Sequence, residues 1–288
     1  MEGLTNIGVI KDIAERHGFS FSKALGQNFL INPSVCPRIA EMGNAAPGYG
    51  ILEIGTGFGV LTNELAKRAD RVTAVEIDKR LIPVLEETVG EYGNVNIINA
   101  DILKTDVKQL IEDNFKGLKT AVCANLPYYI TSPVIMKLLE EKLPIETITV
   151  MVQKEAGERL CAETGTRQCG AVTYAVRYYA EPEMLFNVSR GSFMPSPNVD
   201  SCVIRLNIRK EPPVSVTDEK FFFKTVRGAF SARRKTAVNS LSSALGIDKT
   251  AVSSAFEAEN ISCNIRPEQM TIEDMAKISE RLLIIDNW

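Results

Sequence analysis

The chain of 288 residues contains a single histidine, His17. Any Ser-His-Asp or Cys-His nucleophile, and any imidazole-ligated metal, would have to run through that one ring. It ends an amphipathic stretch, Ile7–His17, where a cap on a surface helix is the expected role. Cys36, Cys123, Cys161, Cys169, Cys202 and Cys263 are scattered singly with no C-x-x-C pair. That argues against a disulfide framework or a thiolate zinc site and for reduced thiols in the cytoplasm, with no metal expected. No apolar run approaches the ~20 residues of a membrane span. The N-terminus carries Glu2, Lys11, Asp12, Glu15 and Arg16 in place of an apolar signal core, so no membrane partner is expected. Positive charge is also lacking: 33 Lys+Arg stand against 36 Asp+Glu, for a net charge of −3. At first sight this balance disfavours nucleic acid as a partner. Hydrophobic residues make up 45% and charged residues 24%, which excludes whole-chain disorder.

From Gly50 onward, short apolar runs alternate with segments of helical period. Ile51–Ile54, Val72–Val75, Val95–Ile98, Thr120–Ala124 and Ile145–Val152 read as buried strands. Val60–Ala69, Leu81–Val89, Val107–Phe115 and Val134–Glu141 read as the helices between them. Such alternation implies an α/β fold with a parallel, doubly wound sheet. Met184–Val188 and Ser201–Ile208 have no helix between them and suit an antiparallel edge. After Arg209-Lys210-Glu211-Pro212-Pro213, which reads as a linker, Phe221–Phe230, Thr236–Leu245, Lys249–Glu259 and Thr271–Leu283 show helical period only. Gly246 is placed to stop one helix, and Thr271 to start the last. Two domains are expected, residues 1–210 and a small all-helical domain of residues 211–288.

Glu53-Ile54-Gly55-Thr56-Gly57-Phe58-Gly59 closes the first of these strands and opens a helix. Its glycines permit a tight turn and close approach of a ligand to backbone at the carboxyl edge of the sheet. The third glycine comes one residue earlier than a dinucleotide fingerprint requires. Glu76 ends the next strand, about 20 residues on, where an acid accepts hydrogen bonds from ribose hydroxyls. Asp101 follows the strand after that, within reach of an adenine amine. Exposed carboxylates at strand ends are common singly. The pair together with the glycine turn favours an adenosine ligand without pyrophosphate, a description that S-adenosylmethionine fits, while a dinucleotide stays open as the lesser alternative.

The fourth of these strands ends in Asn125-Leu126-Pro127-Tyr128-Tyr129. An amino group on a planar ring is a poor nucleophile, because its lone pair is delocalised. The Asn125 side-chain oxygen and the Leu126 carbonyl can accept its two N–H groups and direct the lone pair at a methyl donor. Pro127 fixes the backbone so that the two acceptors converge. Tyr128 offers a face for stacking a base, typically worth ~1–3 kcal/mol. No general base is needed, since the alkylated nitrogen is acidic enough to lose its proton afterward. A plain Pro-aromatic turn is the bland alternative.

With these motifs in order, and with Lys23-Ala24-Leu25-Gly26-Gln27-Asn28-Phe29-Leu30, Phe193-Met194-Pro195-Ser196-Pro197-Asn198-Val199-Asp200-Ser201 and Phe230-Ser231-Ala232-Arg233-Arg234-Lys235-Thr236, the chain resembles the bacterial small-subunit (16S) rRNA adenine N6,N6-dimethyltransferases over nearly its full length. The resemblance implies a Rossmann-like class I methyltransferase that places two methyls on N6 of each of two adjacent adenines in the 3′-terminal hairpin loop of 16S rRNA. It also implies action within the immature small ribosomal subunit, a role in subunit biogenesis, and S-adenosylhomocysteine as product. Carried over by position, Asn28, Leu30, Gly55, Gly57, Glu76, Asp101 and Asn125 would bind S-adenosylmethionine. Leu126, Pro127 and Tyr128 would join Asn125 at the reacting nitrogen, and Phe193 would close a flipped-out base against Tyr128. From the residues alone, Gln27–Leu30 reads as an ordinary loop and Phe193 as core. Thr56, Phe58 and Cys169 stand where the family more often has Pro, Leu and Tyr.

The segment of residues 203–250 holds ten Lys+Arg and four acids, a local charge of +6. Residues 1–202 carry −5 and residues 251–288 carry −4. A charge run is usually a solvated helix face. Arg227, Arg233, Arg234 and Lys235 are nevertheless candidates for phosphate contacts. The rival functions are a large-subunit (23S) rRNA adenine methyltransferase of the antibiotic-resistance type, a DNA adenine methyltransferase, and an RNA-binding assembly factor with secondary catalysis. The Leu25–Leu30 and Arg233–Thr236 motifs favour the small-subunit enzyme. No apolar surface helix demands a second copy, so a monomer is expected.

Overall fold

β-Branched and small apolar residues dominate the runs Ile51–Ile54, Val72–Val75 and Ala121–Ala124, and all three lie in fully covered parallel strands. The computed structural model describes residues 3–20, 28–232 and 234–286. Helix α1 (Ile7–Arg16) is followed by β1 (Phe29–Leu30), α2 (Val35–Met42), β2 (Tyr49–Ile54), α3 (Val60–Ala66), β3 (Arg71–Glu76), α4 (Ile82–Val89), β4 (Val95–Asn99), α5 (Val107–Asn114) and β5 (Lys119–Asn125). Then come α6 (Thr131–Glu140), β6 (Thr147–Gln153), α7 (Lys154–Cys161), α8 (Ala171–Tyr179), β7 (Ala180–Val188), β8 (Phe193–Met194) and β9 (Ser201–Ile208). Four helices end the chain: α9 (Glu219–Ala229), α10 (Ala237–Leu245), α11 (Lys249–Ala258) and α12 (Ile272–Asp286).

Seven strands form one sheet in the order β4-β3-β2-β5-β6-β9-β7. β2 to β6 pair in parallel, and β9 runs antiparallel to β6, with Ser201 opposite Gln153. The two late strands thus occupy the edge expected of them. β1 and β8 pair separately, Leu30 against Phe193 and Phe29 against Met194. Strand order reverses between β2 and β5, and the crevice beyond their carboxyl ends is where sheets of this kind receive ligands. Ile51, on one face, joins a core with α2 and α3 through Ile39, Leu61 and Leu65. Its neighbour Gly50, on the opposite face, meets Phe115 at the end of α5.

The chain divides into two compact units, Met1–Gly157 with Pro182–Ile208, and Glu158–Glu181 with Arg209–Trp288. A single cut at residue 210, expected from sequence, does not capture the excursion Glu158–Glu181. Its helix α8 carries the reason: Tyr174 donates to the carbonyls of Pro267 and Met270, and the Tyr178 ring lies 5.4 Å from that of Phe222. Within this second unit Gly246 closes α10 in the left-handed conformation, with φ 74°. Thr271 and Asp274 cap α12 reciprocally, each side chain accepting the other's backbone N–H. Helix α3 stops short of its expected end at Ala69, and α7 and α8 are additions to the elements read from sequence. Among the described residues, no helix is long and apolar enough to cross a membrane.

A Cβ added at Gly50 would lie 2.3 Å from the Phe115 ring, which is fixed in the core. Gly50→Ala is therefore expected to destabilise the protein by about 1–3 kcal/mol in urea denaturation. An unchanged midpoint would show that Phe115 yields freely.

Candidate active site

β2 ends at Ile54, and the chain turns through Gly55, Gly57 and Gly59, all with positive φ (74°, 55° and 80°). Only residues without a Cβ adopt three such conformations so closely spaced at little cost. Gly59 then starts α3 from a left-handed N-cap position, and a Cβ there would lie 2.9 Å from Val89. The loop is held by Glu76 at the end of β3. Its Oε2 accepts from the Thr56 N–H (3.0 Å), the Thr56 hydroxyl (3.0 Å) and the Gly57 N–H (3.3 Å). Its Oε1 accepts from the Asp78 N–H at 2.9 Å. Proline in place of Thr56 would remove two of these donors. Phe58, the other departure in this turn, packs edge-on to Phe29, with ring centroids 4.7 Å apart.

The adjoining β5 ends at Asn125, one position past the pair Ile54–Ala124. The turn after it uses the Pro127 carbonyl, which accepts from the Ile130 N–H (3.1 Å) and the Thr131 hydroxyl (3.3 Å). Among the described residues, the Asn125 side chain and the Leu126 carbonyl have no protein hydrogen-bond partner. Two acceptors therefore stand free at the strand end. Tyr128 is half-buried, and its hydroxyl shares a 2.8 Å hydrogen bond with Ser201 at the start of β9. Burial raises the Tyr128 phenol above its ordinary pKa, against the Ser201 hydrogen bond that lowers it.

One cavity of about 330 Å³ lies at this edge, within the usual range for small-molecule sites. Asn28, Leu30, Gly55, Gly57, Glu76, Asp101, Asn125, Leu126, Pro127, Tyr128 and Phe193 all line it. The β1–β8 pair brings Leu30 and Phe193 to it from sequence positions more than 160 residues apart. Asp101 is tied to the following turn through the Leu103 N–H at 3.0 Å, and its second oxygen lies 3.7 Å from Lys104 Nζ. Of the segment Lys23–Leu30, residues up to Gln27 lie outside the described residues. Sequence alone left Thr56, Asp200, Ser201 and the cavity-lining Ile77, Leu103 and Tyr129 unassigned. Thr56 and Ser201 stood inside recognisable motifs, but nothing in one dimension shows which carboxylate or phenol their hydroxyls meet.

Cys169 is buried with its thiol toward the Glu268 carbonyl at 3.4 Å, so it belongs to the second unit's packing. In that unit Arg227 is exposed in the last turn of α9, and Arg234 and Lys235 are exposed in the turn before α10. None of the three has an ion-pair partner among the described residues, and Arg233 lies outside them. Two of the six other cations of the +6 segment are engaged in ion pairs, Arg205 with Glu183 (2.7 Å) and Arg209 with Glu181 (2.8 Å), while Lys210, Lys220 and Lys249 are exposed. His17 caps α1 as expected, its ring 2.7 Å from Glu87.

A family model described as ribosomal RNA adenine dimethylase matches residues 18–283. Ribosomal RNA small subunit methyltransferase A of Bacillus cereus is 48% identical over 278 residues, which is 95% of both chains, and that of Bacillus anthracis matches equally. Among solved structures, the 23S rRNA methyltransferase ErmE is 29% identical with a TM-score of 0.66, covering 88% of this chain and 99% of its own. A dimethyladenosine transferase from Plasmodium falciparum, 24% identical with a TM-score of 0.69 over 90% of this chain and 98% of its own, shares the fold.

Behind the glycine turn, Glu53 of β2 is fully buried and neither carboxyl oxygen has a hydrogen-bond partner among the described residues. Burial pushes its pKa from 4.5 up to about 8, against the nearby Thr62, which lowers it, and with Glu76 adding a smaller repulsion. The folded protein thus binds this proton more tightly than the unfolded chain does, so the group's contribution to stability falls as pH rises between those two values. Urea midpoints at pH 5 and pH 8 are expected to fall more steeply for the wild type than for Glu53→Gln, in line with a pKa of about 8. Parallel slopes would contradict it.

Proposed function

Because this chain belongs to the ribosomal RNA adenine dimethylase family, we propose that it carries methyl groups from S-adenosylmethionine to N6 of two adjacent adenines in the 3′-terminal hairpin loop of 16S rRNA, acting on the maturing small subunit. The observation that supports this reading most strongly is the meeting, in one cavity, of a carboxylate-and-glycine wall with an amide, a free carbonyl and two aromatic rings. The first wall fits the cofactor. Glu76 and Asp101 offer acceptors to ribose hydroxyls and an adenine amine, and Gly57 keeps open a space where a Cβ would come within 3.1 Å of the Phe29 ring. Asn28, Leu30, Gly55, Gly57, Glu76, Asp101 and Asn125 would hold it there. When bound, S-adenosylmethionine supplies an electrophilic methyl on a sulfonium.

The chain's own residues prepare the nucleophile. Asn125 Oδ1 and the Leu126 carbonyl, having no internal donors, would accept the two N–H groups of the target amine and hold its nitrogen toward tetrahedral geometry. Pro127 would keep the two acceptors convergent. A base extruded from a single-stranded loop would stack between Tyr128 and Phe193. The monomethylated amine keeps one N–H, so one acceptor still serves the second transfer. In the second unit, Arg227, Arg234 and Lys235 would bind phosphates, with Arg233 as a further candidate by sequence.

A large-subunit RNA target is the competing reading, because ErmE shares this fold. The 48% identity to small-subunit enzymes favours the first. The two separate when labelled S-adenosylmethionine is offered with unmethylated small subunits, large subunits, naked rRNA and duplex DNA. Dimethyladenosine in small subunits alone is the expected result, and label in large-subunit RNA would overturn the proposal. Asn125→Ala is expected to slow transfer by about 10²–10³-fold while sparing RNA affinity, as losses of a single positioned hydrogen-bonding group commonly do; equal loss of binding would remove its assigned role. Arg234→Glu with Lys235→Glu should weaken subunit binding and flatten its dependence on salt. An unchanged salt slope would refute the phosphate assignment.

A further inference from the structure

We propose that the dipeptide Asp200-Ser201 is a positioning element that sets the two aromatic walls of the target-base slot. This inference rests on the assignment of Tyr128 and Phe193 as those walls.

Stacking uses the face of a ring and has no need of a phenolic hydroxyl. That of Tyr128 is nevertheless engaged, sharing a 2.8 Å hydrogen bond with the hydroxyl of Ser201, which has no solvent exposure. A tyrosine ring swings about its Cα–Cβ bond, and a hydrogen bond at its far end fixes that swing. The position of the ring's long axis therefore follows Ser201. Ser201 is itself fixed by the pairing of β9 with β6, where it stands opposite Gln153.

The preceding residue reaches the other wall. Asp200 Oδ1 accepts from the Arg190 N–H at 2.9 Å. Arg190 opens the single helical turn Arg190–Ser192, and Phe193 follows it directly. That turn is tied to the segment after β1 by the Ile31 N–H on the Ser192 carbonyl (2.8 Å) and by Asn32 on the Ser192 hydroxyl (3.1 Å). The Asp200 carbonyl meanwhile accepts from the Lys154 N–H at 3.0 Å, which fastens the dipeptide to the end of β6. Two adjacent residues thus hold one ring by its hydroxyl and the other by the backbone leading into it. The spacing of the walls is passed from the sheet edge to the slot through them.

The element acts through Tyr128 and Phe193 and touches neither reacting atom, so its loss should appear in the transfer step and not in cofactor affinity. The test is a double-mutant cycle of Ser201→Ala and Tyr128→Phe on unmethylated small subunits, with Ser201→Thr as the conservative variant. Base stacking is read separately from the fluorescence of an RNA carrying 2-aminopurine at the target position. Each single variant should lower kcat by about tenfold, the scale of one oriented hydrogen bond, with S-adenosylmethionine affinity and RNA KM nearly unchanged. The double variant should be no worse than either single one, and Ser201→Thr should recover most of the rate. Asp200→Ala, which removes the acceptor of the Arg190 N–H, should lessen 2-aminopurine quenching. Additive losses, or a Ser201→Ala enzyme as fast and as quenched as wild type, would overturn the proposal. If the wild-type protein itself transfers no methyl to small subunits, the functional reading fails instead.

Discussion

The carboxylate of Glu76 takes four hydrogen bonds, three from the glycine turn after β2 and one from the backbone beyond its own strand. Each of those donors is an N–H or a hydroxyl that the turn leaves without a partner in the sheet. Three left-handed glycines at alternate positions are a costly arrangement unless something holds them, and the buried Glu76 side chain does so by accepting three hydrogen bonds from the turn. The same side chain lines the cavity. The constraint that shapes the loop therefore also presents an acceptor to whatever enters.

That loop lies beside the end of β5, because strand order reverses between β2 and β5. The carbonyl of Asn125 comes within 3.7 Å of where a Gly55 Cβ would stand. The glycine turn and the free acceptors after β5 are thus neighbours across one strand pair. The remaining wall arrives from far along the chain, through a two-residue pairing of β1 with β8 and through the antiparallel edge. A parallel sheet supplies the floor of such a site, and these later additions enclose the space above it.

The parallel strands and their order of appearance were legible because buried strands are continuous apolar runs, bounded here by glycine and proline. That the glycine turn, Glu76, Asp101 and Asn125 line one cavity was legible because all stand at the carboxyl ends of parallel strands. Phe193 was not: its burial makes it indistinguishable from core without the family pattern, and the two-residue strand that delivers it is too short for any periodicity. The segment Glu158–Glu181 was also opaque, since α8 packs its aromatic face on Phe222 and Phe223, a long-range choice that local pattern does not encode. Bulk charge misled most. A net −3 conceals a +6 segment, and the structure divides that segment further into engaged arginines and exposed cations, Arg227, Arg234 and Lys235 among them.

The central claim is that one cavity holds a methyl donor against an extruded adenine. The most direct test is a crystal structure with S-adenosylhomocysteine and an adenosine-containing RNA loop. The account predicts the target base between the rings of Tyr128 and Phe193, with N6 in hydrogen-bond contact with Asn125 Oδ1 and the Leu126 carbonyl, and the ribose of the cofactor product on Glu76. A base bound elsewhere, or a cofactor product whose ribose avoids Glu76, would contradict it.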